Sequence, residues 1–269
     1  MRARSTVCRV GATRHLNRII VKPQFEELTP EREAELEGMP KQLAGAHEWA
    51  RYKRRNDSIV VDYFQGQFCN QMQCLTCGQT STTYNAFLNL SVPIPANKGV
   101  TKVSLDECIK ALVGREVMDN ADAWHCPRCK TARRAAKQLT FSRMPPVLII
   151  HLKRFSFKGP FTDKLETLVD FPLKDLDLTN YMPPPLTPNM DKDGLERFSP
   201  QDPRAQIPPY KYELYGVEAR LIMSLDTAFV KSRGKWMYCD DSRITPAEPK
   251  EVVGKPAYIL FYKRVPPGS

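Results

Sequence analysis

The chain of 269 residues contains only four histidines and no long apolar run. No stretch approaches the ~18 consecutive apolar residues that a membrane-spanning helix needs. The start of the chain, from Met1 to Cys8, leads into no apolar core of the kind that a secretory signal requires. These absences predict a protein without a membrane span, in the reducing cytoplasm or nucleus.

The composition includes 42% apolar residues, enough to bury a core of ordinary size, and eight cysteines. Because thiols in a reducing compartment do not pair, clustered cysteines there usually bind a metal. The formal charge of +10 comes from 40 basic and 30 acidic residues spread along the whole chain. This excess is compatible with an acidic partner but identifies none.

Helix signals occur at three places. Thr29 and Pro30 precede a first turn rich in Glu, which predicts a helix that ends at Gly38. A second helix is predicted over 41–55. Ser104 and Glu107 form a capping box ahead of a short amphipathic helix in which Cys108 faces the core.

Strand signals are more numerous, and together with the helices they predict an α+β fold. The β-branched run within 58–63 is typical of a strand or an apolar turn. Further strands are predicted at 82–90, 90–95, 147–152, 212–217, 227–231, 235–240 and 257–263, with a tight turn at 232–234. Residues 1–28 are expected to be poorly ordered. The Pro-rich stretch 183–209 predicts an inserted flexible loop rather than a ligand for an SH3-type domain.

Two Cys-x2-Cys pairs, Cys74 with Cys77 and Cys126 with Cys129, form the strongest motif. Two residues between thiolates allow one tight turn to direct both sulfurs at a tetrahedral ion, and two such turns complete a shell of four. A Zn2+ ion held in this way would be structural, because no position is open for water. The alternative is four unrelated buried thiols. Cys69 lies at the wrong spacing to replace a ligand.

Several other short motifs follow one another along the chain. They lie at 64–67, 88–95, 145–155, 169–172, 212–217, 236–242 and 257–262. With the two cysteine pairs, and over a span from about His15 to Arg264, they resemble the ubiquitin-specific protease family of cysteine-type deubiquitinases. The resemblance implies partners that are ubiquitin and ubiquitinated proteins.

The resemblance also implies a papain-like hand architecture. Residues 64–145 correspond to zinc-ribbon β fingers and 146–264 to an antiparallel β palm that contains the insertion 183–209. Residues 1–63 correspond to an irregular start and remnant helices of a thumb that is mostly missing. In this family a thiolate attacks the carbonyl after the C-terminal glycine of ubiquitin, an imidazole transfers the proton, and an Asp or Asn orients that imidazole.

The nucleophile of the family has no match. Its cysteine box would precede the segment that resembles His15-Leu16-Asn17-Arg18, where Cys8 is the only cysteine. The neighbours of Cys8 share nothing with the box. Cys8 is therefore expected to be an exposed thiol and not a nucleophile.

The catalytic histidine has no match either. Where the family has a glycine-rich turn and Gly-His-Tyr, this chain has residues 218–226, which contain neither glycine nor histidine and place Leu225 at the imidazole position. His151 is expected in a buried palm strand, and His125 as a solvated neighbour of the second cysteine pair. Neither these nor the remaining His15 and His47 are suited to act as the base.

The third member of the triad does have a match. Residues 235–242 resemble the acidic motif of the family, so Asp240 would orient a histidine that is missing. Asp241 is a polar neighbour, and Cys239 is expected to pack within the strand.

Three hypotheses follow. The first is a deubiquitinating cysteine hydrolase whose chain, as given, is an incomplete translation with a lost start and a misread junction near residue 218. The second is a non-catalytic pseudoenzyme that binds ubiquitin. The third is a basic zinc-ribbon module for nucleic acid, based on Lys130, Arg133, Arg134 and Lys137, for which no interleaved aromatic residues are evident, so no nucleic acid partner is expected.

Overall fold

Helices are few and strands many in the computed structural model, which describes residues 16–25, 28–95, 99–118, 122–158, 161–187, 195–222 and 225–267. The helices are α1 Pro30–Gly38, α2 Lys41–Lys53, α3 Ile59–Phe64, α4 Leu105–Val113 and α5 Pro249–Val252. Within the described ranges, no helix combines the length and the apolarity needed to cross a bilayer.

The strands are, in chain order, β1 Gly66–Cys74, β2 Thr80–Phe87, β3 Leu90–Pro93, β4 Lys102–Ser104, β5 Arg115–Val117, β6 Trp124–Cys126, β7 Thr131–Arg133, β8 Ala135–Arg143, β9 Val147–Lys153, β10 Phe155–Lys158, β11 Phe161–Lys164, β12 Leu168–Asp170, β13 Leu176–Asp177, β14 Lys211–Ile222, β15 Leu225–Ser232, β16 Lys235–Asp240, β17 Arg243–Ala247 and β18 Ala257–Arg264. The α+β class predicted from the sequence is confirmed.

Two sheets organise the fold. The larger has the order β17-β16-β15-β14-β18-β9-β3, with β13 paired to β14, and the smaller has the order β2-β1-β8-β5. Strand β3 pairs in parallel with β9, although it lies in the chain between β2 and β5 of the smaller sheet. The boundary between 64–145 and 146–264 therefore stays a prediction, since β3 belongs to the larger sheet.

The main core lies on one face of the larger sheet. Helix α4 packs its apolar face there, and Leu105, Cys108 and Ile109 are buried. The capping box predicted at Ser104 and Glu107 is confirmed. Cys108 lies in the core, as its position in the amphipathic pattern predicted.

The first two helices, α1 and α2, also agree with the helices predicted from the sequence. Thr29 caps α1 by accepting a hydrogen bond from the N–H of Arg32, and α2 ends two residues before the predicted bound. Among residues 16–25, expected to be poorly ordered, Arg18 donates to the carboxylates of Asp57 and Asp62. The rest of that prediction, for residues 1–15 and 26–27, lies outside the described residues.

The prediction of a strand or apolar turn at 58–63 is wrong, because Ile59–Phe64 forms helix α3. Ser58 accepts a hydrogen bond at Oγ from the N–H of Val61, at 3.2 Å, and so caps the first turn. Val61 is fully buried. The cap and this tertiary contact outweigh the strand preference of the β-branched residues.

The Pro-rich stretch contains no helix or strand in its described residues beyond 182, as expected, but its second half is anchored. Arg264, buried on β18, donates to the carbonyls of Pro203, Ala205 and Ile207. Gln206 accepts from the N–H of Met144 and donates to its carbonyl. These bonds fix residues 203–207 against the larger sheet.

The turn predicted at 232–234 is confirmed as a hairpin between β15 and β16. Arg233 and Gly234 have φ values of 48° and 82°. Positive φ at both central residues is the geometry that a two-residue hairpin requires.

Candidate metal centre and catalytic remnant

The four cysteines of the two Cys-x2-Cys pairs meet at one point. Their sulfur atoms all lie within 4.8 Å of one another, and the sulfurs of Cys77 and Cys126 are 3.6 Å apart. A tetrahedral zinc with Zn–S bonds of ~2.3 Å separates its sulfurs by about 3.8 Å. The cluster therefore has the donor type, number and spacing that a four-thiolate zinc site needs.

Two turns of the same design present these sulfurs. In the first, Gly78 donates its N–H to the carbonyl of Cys74 at 3.0 Å, and in the second Lys130 donates to Cys126 at 2.9 Å. Both residues after the second cysteine have positive φ, 73° at Gly78 and 57° at Lys130. This left-handed residue closes each turn and directs both of its sulfurs to one side.

The strands place the two turns next to each other. Cys74 ends β1, and Cys126 ends β6 of a two-stranded hairpin with β7. Leu75, inside the first turn, donates its N–H to the carbonyl of Arg134 at 3.0 Å, just after that hairpin. This backbone hydrogen bond joins the first cysteine turn to the hairpin that carries the second.

Local hydrogen bonds favour a thiolate at one member of the cluster. The N–H of Cys77 donates to the sulfur of Cys74 and lowers the pKa of that thiol to about 6. The backbone N–H of Cys129 lies 3.4 Å from the sulfur of Cys126. Such N–H donors are typical of turns that hold metal thiolates.

Exposed cations surround the cluster at Arg128, Lys130, Arg133 and Arg134. The structure pairs Trp124, which is half-buried, directly with Arg133 across the β6–β7 hairpin. Trp124 precedes the second cysteine pair whereas the basic residues follow it, so the run of basic residues alone did not reveal this neighbour. The expectation of no nucleic acid partner stays a prediction.

Asp240, the predicted third member of a triad, ends β16 at a tight turn. Its Oδ1 accepts hydrogen bonds from the N–H of Ser242 and the N–H of Arg243, both at 3.2 Å. The Ser242 hydroxyl lies 3.4 Å from the same oxygen. In the structure the carboxylate therefore stabilises its own turn.

No imidazole reaches Asp240 among the described residues. Residues 211–240 contain no histidine, and the backbones of 218–222 and 225–226 pair as neighbouring strands with Ile222 opposite Leu225. His151 lies on β9, separated from β16 by three strands, or about 19 Å at ordinary strand spacing. Its Nδ1 is 3.4 Å from the hydroxyl of Ser91, and its ring meets that of Tyr258 edge-on.

The other histidines are no closer to a catalytic arrangement. His47 is half-buried on α2, and His125 is exposed beside the cysteine cluster, as expected for a solvated neighbour. His15 lies outside the described residues.

None of the cysteines outside the cluster that the structure describes has the environment of a nucleophile. Cys69 and Cys108 are buried, and burial raises the pKa of both thiols, that of Cys108 to about 11. Cys239 is half-buried and pairs with Ala228 and Ile244 in the sheet, which matches the expected strand packing. Cys8 lies outside the described residues.

Comparison with known proteins shows that the chain is similar to members of one family. A family model described as "Ubiquitin carboxyl-terminal hydrolase" matches residues 21–262. Ubiquitin carboxyl-terminal hydrolase 4 of Saccharomyces cerevisiae is 37% identical over 265 residues, which is 95% of this chain and 28% of that protein. Ubiquitin carboxyl-terminal hydrolase 2 of Gallus gallus is 33% identical over 264 residues, 96% of this chain and 66% of that protein.

Solved structures of a deubiquitinase (DUB) module are also similar to this chain. A SAGA DUB module of Ubp8, Sgf11, Sus1 and Sgf73 bound to monoubiquitin matches with a TM-score of 0.61 and 28% identity, over 78% of this chain and 42% of the matched chain. The module bound to ubiquitin aldehyde matches with a TM-score of 0.60 and 27% identity, over 82% and 46%. The chain thus spans less than half of these matched chains, and about 28% of the yeast relatives.

Proposed function

Because the chain belongs to the ubiquitin carboxyl-terminal hydrolase family, whose members are cysteine-type deubiquitinases, we propose that it binds ubiquitin and ubiquitinated proteins. The reaction of the family domain is thiol-dependent hydrolysis of the C-terminal (iso)peptide bond of ubiquitin. We further propose that this chain, as given, does not carry out that reaction.

One observation carries the proposal of inactivity. Asp240 matches the acidic motif of the family, yet its oxygen accepts from Ser242 and Arg243, and 211–240 contain no histidine. Without an imidazole there, a thiol would lack the general base that forms the thiolate and protonates the leaving amine.

The hand architecture is part of the proposal. Residues 64–145 would form fingers that grip ubiquitin, and 146–264 a palm, with remnant helices of the thumb within 1–63. The four-stranded sheet and the cysteine cluster support the fingers, and the larger sheet, which contains most strands after residue 146, supports the palm.

Zinc is proposed as the resident cofactor, bound by Cys74, Cys77, Cys126 and Cys129. The donor set fits, since four sulfurs lie within 4.8 Å of one another. When bound, zinc would cross-link the end of β1 to the β6–β7 hairpin, and its filled shell would give it a structural role. Because thiolate ligands and the free thiols of the described cysteines need reducing conditions, we propose the cytoplasm or nucleus as the compartment, which imaging of a tagged chain tests.

Two measurements test the function. Immobilised monoubiquitin should retain the full chain in a titration up to ~100 μM, whereas cleavage of a fluorogenic C-terminal ubiquitin amide should stay at the background rate. Cys126→Ser should weaken ubiquitin binding, and Cys239→Ser, outside the cluster, should not. Absence of binding would reject the ubiquitin role, and hydrolysis that a thiol reagent abolishes would reject the inactivity.

The incomplete translation and the pseudoenzyme make different predictions for the gene. If the junction near 218 is misread, genomic DNA across codons 217–227 should encode Gly-His-Tyr in another frame or across an intron. Intact DNA that encodes residues 218–226 as they stand would favour the non-catalytic pseudoenzyme.

A further inference from the structure

A cavity of about 890 Å³ opens between helix α2, the end of β8 and the two described halves of the Pro-rich stretch. Its volume lies in the range of small-molecule sites, roughly 300–1,000 Å³. The proposed ubiquitin-binding role uses neither this cavity nor the side chains that give it polar character.

One buried hydrogen-bond donor of the lining has no acceptor among the described residues. Trp49 on α2 lines the cavity, and only 4% of its surface is exposed. Its indole Nε1 is buried and makes no hydrogen bond within the part of the chain that the structure describes. A buried donor without an acceptor is unfavourable, so a ligand that supplies an acceptor gains affinity.

A guanidinium lies against the same indole. The Cζ of Arg143 is 5.0 Å from the centroid of the Trp49 ring. Its only hydrogen-bond acceptor among the described residues is Glu196, at a long 3.5 Å. Most of the N–H groups of Arg143 are therefore available, and burial lowers the pKa of this guanidinium, as expected where a charge lacks a close counter-ion.

Glu196 shares its carboxylate between two cations. Its Oε2 lies 3.5 Å from Arg143, whereas its Oε1 lies 2.6 Å from the Nζ of Lys53, which is also 3.1 Å from Oδ1 of Asp62. The shorter ion pair of Glu196 is therefore the one with Lys53. The described lining carries two cations, Arg143 and Arg197, and one carboxylate, Glu196, so positive charge is in excess at the cavity wall.

The rest of the lining is mostly apolar. Met182, Pro184, Leu186 and Phe198 from the Pro-rich stretch line it opposite α2. A ligand that fits must therefore combine an anionic acceptor group with an apolar body.

We propose that this cavity binds small carboxylates with an apolar body. The planar guanidinium of Arg143 offers paired donors that match the two oxygens of a carboxylate, and the indole N–H of Trp49 offers a further donor. The carboxylate comes either from a small organic acid or from the C-terminus of a peptide that ends in apolar residues.

Calorimetric titration of the full chain tests the proposal. The probes are 4-phenylbutyrate for the organic acid and acetyl-Leu-Phe for the peptide terminus, each with its uncharged amide as the matched control. We expect at least one acid to saturate below ~5 mM and its amide to bind about 10-fold more weakly.

Three variants test whether Trp49 and Arg143 contact the carboxylate of the ligand. Trp49→Phe keeps the ring and removes the N–H, and Arg143→Gln removes the charge; each should weaken the acid about 10-fold and leave the amide nearly unchanged. Trp236→Phe, at a buried tryptophan outside the cavity, should change neither. Thermal melts identify any variant that fails to fold, and the comparison of acid with amide on the unmodified chain does not depend on them.

The outcomes of the titrations distinguish the two possible sources of the carboxylate. Binding of phenylbutyrate alone identifies an organic acid, and binding of acetyl-Leu-Phe alone identifies a peptide terminus. Equal affinity of each acid and its amide, full affinity in Trp49→Phe and Arg143→Gln, or no saturable binding by either acid up to ~5 mM would overturn the proposal.

Discussion

Gly45 on α2 lies directly against Ser142 on β8. A Cβ atom on residue 45 would overlap the Ser142 hydroxyl oxygen and would also lie 3.2 Å from the Tyr84 ring. The absence of a side chain at this position allows the backbone of α2 to approach β8. The same helix carries Trp49 to the wall of the cavity.

Gly45→Ala should destabilise the fold. We expect the overlap with Ser142 to lower the free energy of unfolding by ~1–3 kcal/mol, measured by urea denaturation. Gly38→Ala is the matched control, because nothing lies within 4 Å of a Cβ there and alanine favours the helix. A second change, Ser142→Ala, should recover part of the loss. Equal stability of Gly45→Ala and the unmodified chain would contradict the close contact.

Cys126→Ser should abolish zinc binding. Elemental analysis should find about one zinc per unmodified chain and close to none in the variant, since the shell needs four thiolates. Treatment of the unmodified chain with a chelator should lower its melting temperature. Cys239→Ser is the control and should keep its zinc. Equal zinc in both variants would exclude the cluster as the binding site.

Asp62 should make the free energy of unfolding decrease as the pH falls into the acid range. Burial alone would raise its pKa, but hydrogen bonds from Arg18 and Lys53 outweigh burial and hold the pKa below its usual value. A carboxylate with a depressed pKa in the folded state stabilises the protein above its unfolded pKa, and that contribution is lost as the pH falls through the folded pKa. We therefore expect urea denaturation to show a loss of stability that begins near pH 4 and continues below it.

Asp62→Asn should flatten that acid-side slope and lower stability at pH 7 by about 1 kcal/mol. The control is Asp170→Asn, which removes an ion pair with Lys102 whose two side chains are 49% and 58% exposed. An exposed pair contributes ~0–1 kcal/mol. An unchanged slope in Asp62→Asn would show that other carboxylates cause the acid dependence.

Asp240→Ala should destabilise the turn after β16. One oxygen of this carboxylate accepts from the N–H groups of Ser242 and Arg243, so its removal should cost ~1 kcal/mol in urea denaturation. Asp240→Asn keeps the acceptor oxygen and should lose less. Asp241→Ala, at an exposed neighbour, should be close to neutral. A neutral Asp240→Ala would show that the carboxylate does not support the turn.

Local patterns predicted those parts of the fold that depend on nearby residues. The capping box at Ser104, the hairpin turn at Arg233 and Gly234, and the turn within each cysteine pair depend on short segments with strong local preferences. The spacing of the cysteines is itself the geometric requirement of a tetrahedral ion. For this reason the cluster could be found without knowledge of the fold.

Features that depend on distant contacts were not predictable. The β-branched residues 59–61 favour a strand locally, and the burial of Val61 against the rest of the chain, together with the cap at Ser58, makes them helical. Nothing in the composition of 183–209 reveals that Arg264 fixes residues 203–207. The cavity is also invisible in the sequence, because its donors Trp49 and Arg143 are far apart along the chain.

The path of the chain through β3 limits how this protein can be divided. Leu90 and Val92 are fully buried in the core of the larger sheet, yet β2 before them and β5 after α4 belong to the smaller sheet. An excised fragment of residues 64–145 would expose these side chains to water and would lose the strand that pairs with them. Exchange of residues 64–145 between relatives would therefore need to leave Leu90–Pro93 and α4 with the native larger sheet, through four junctions instead of two.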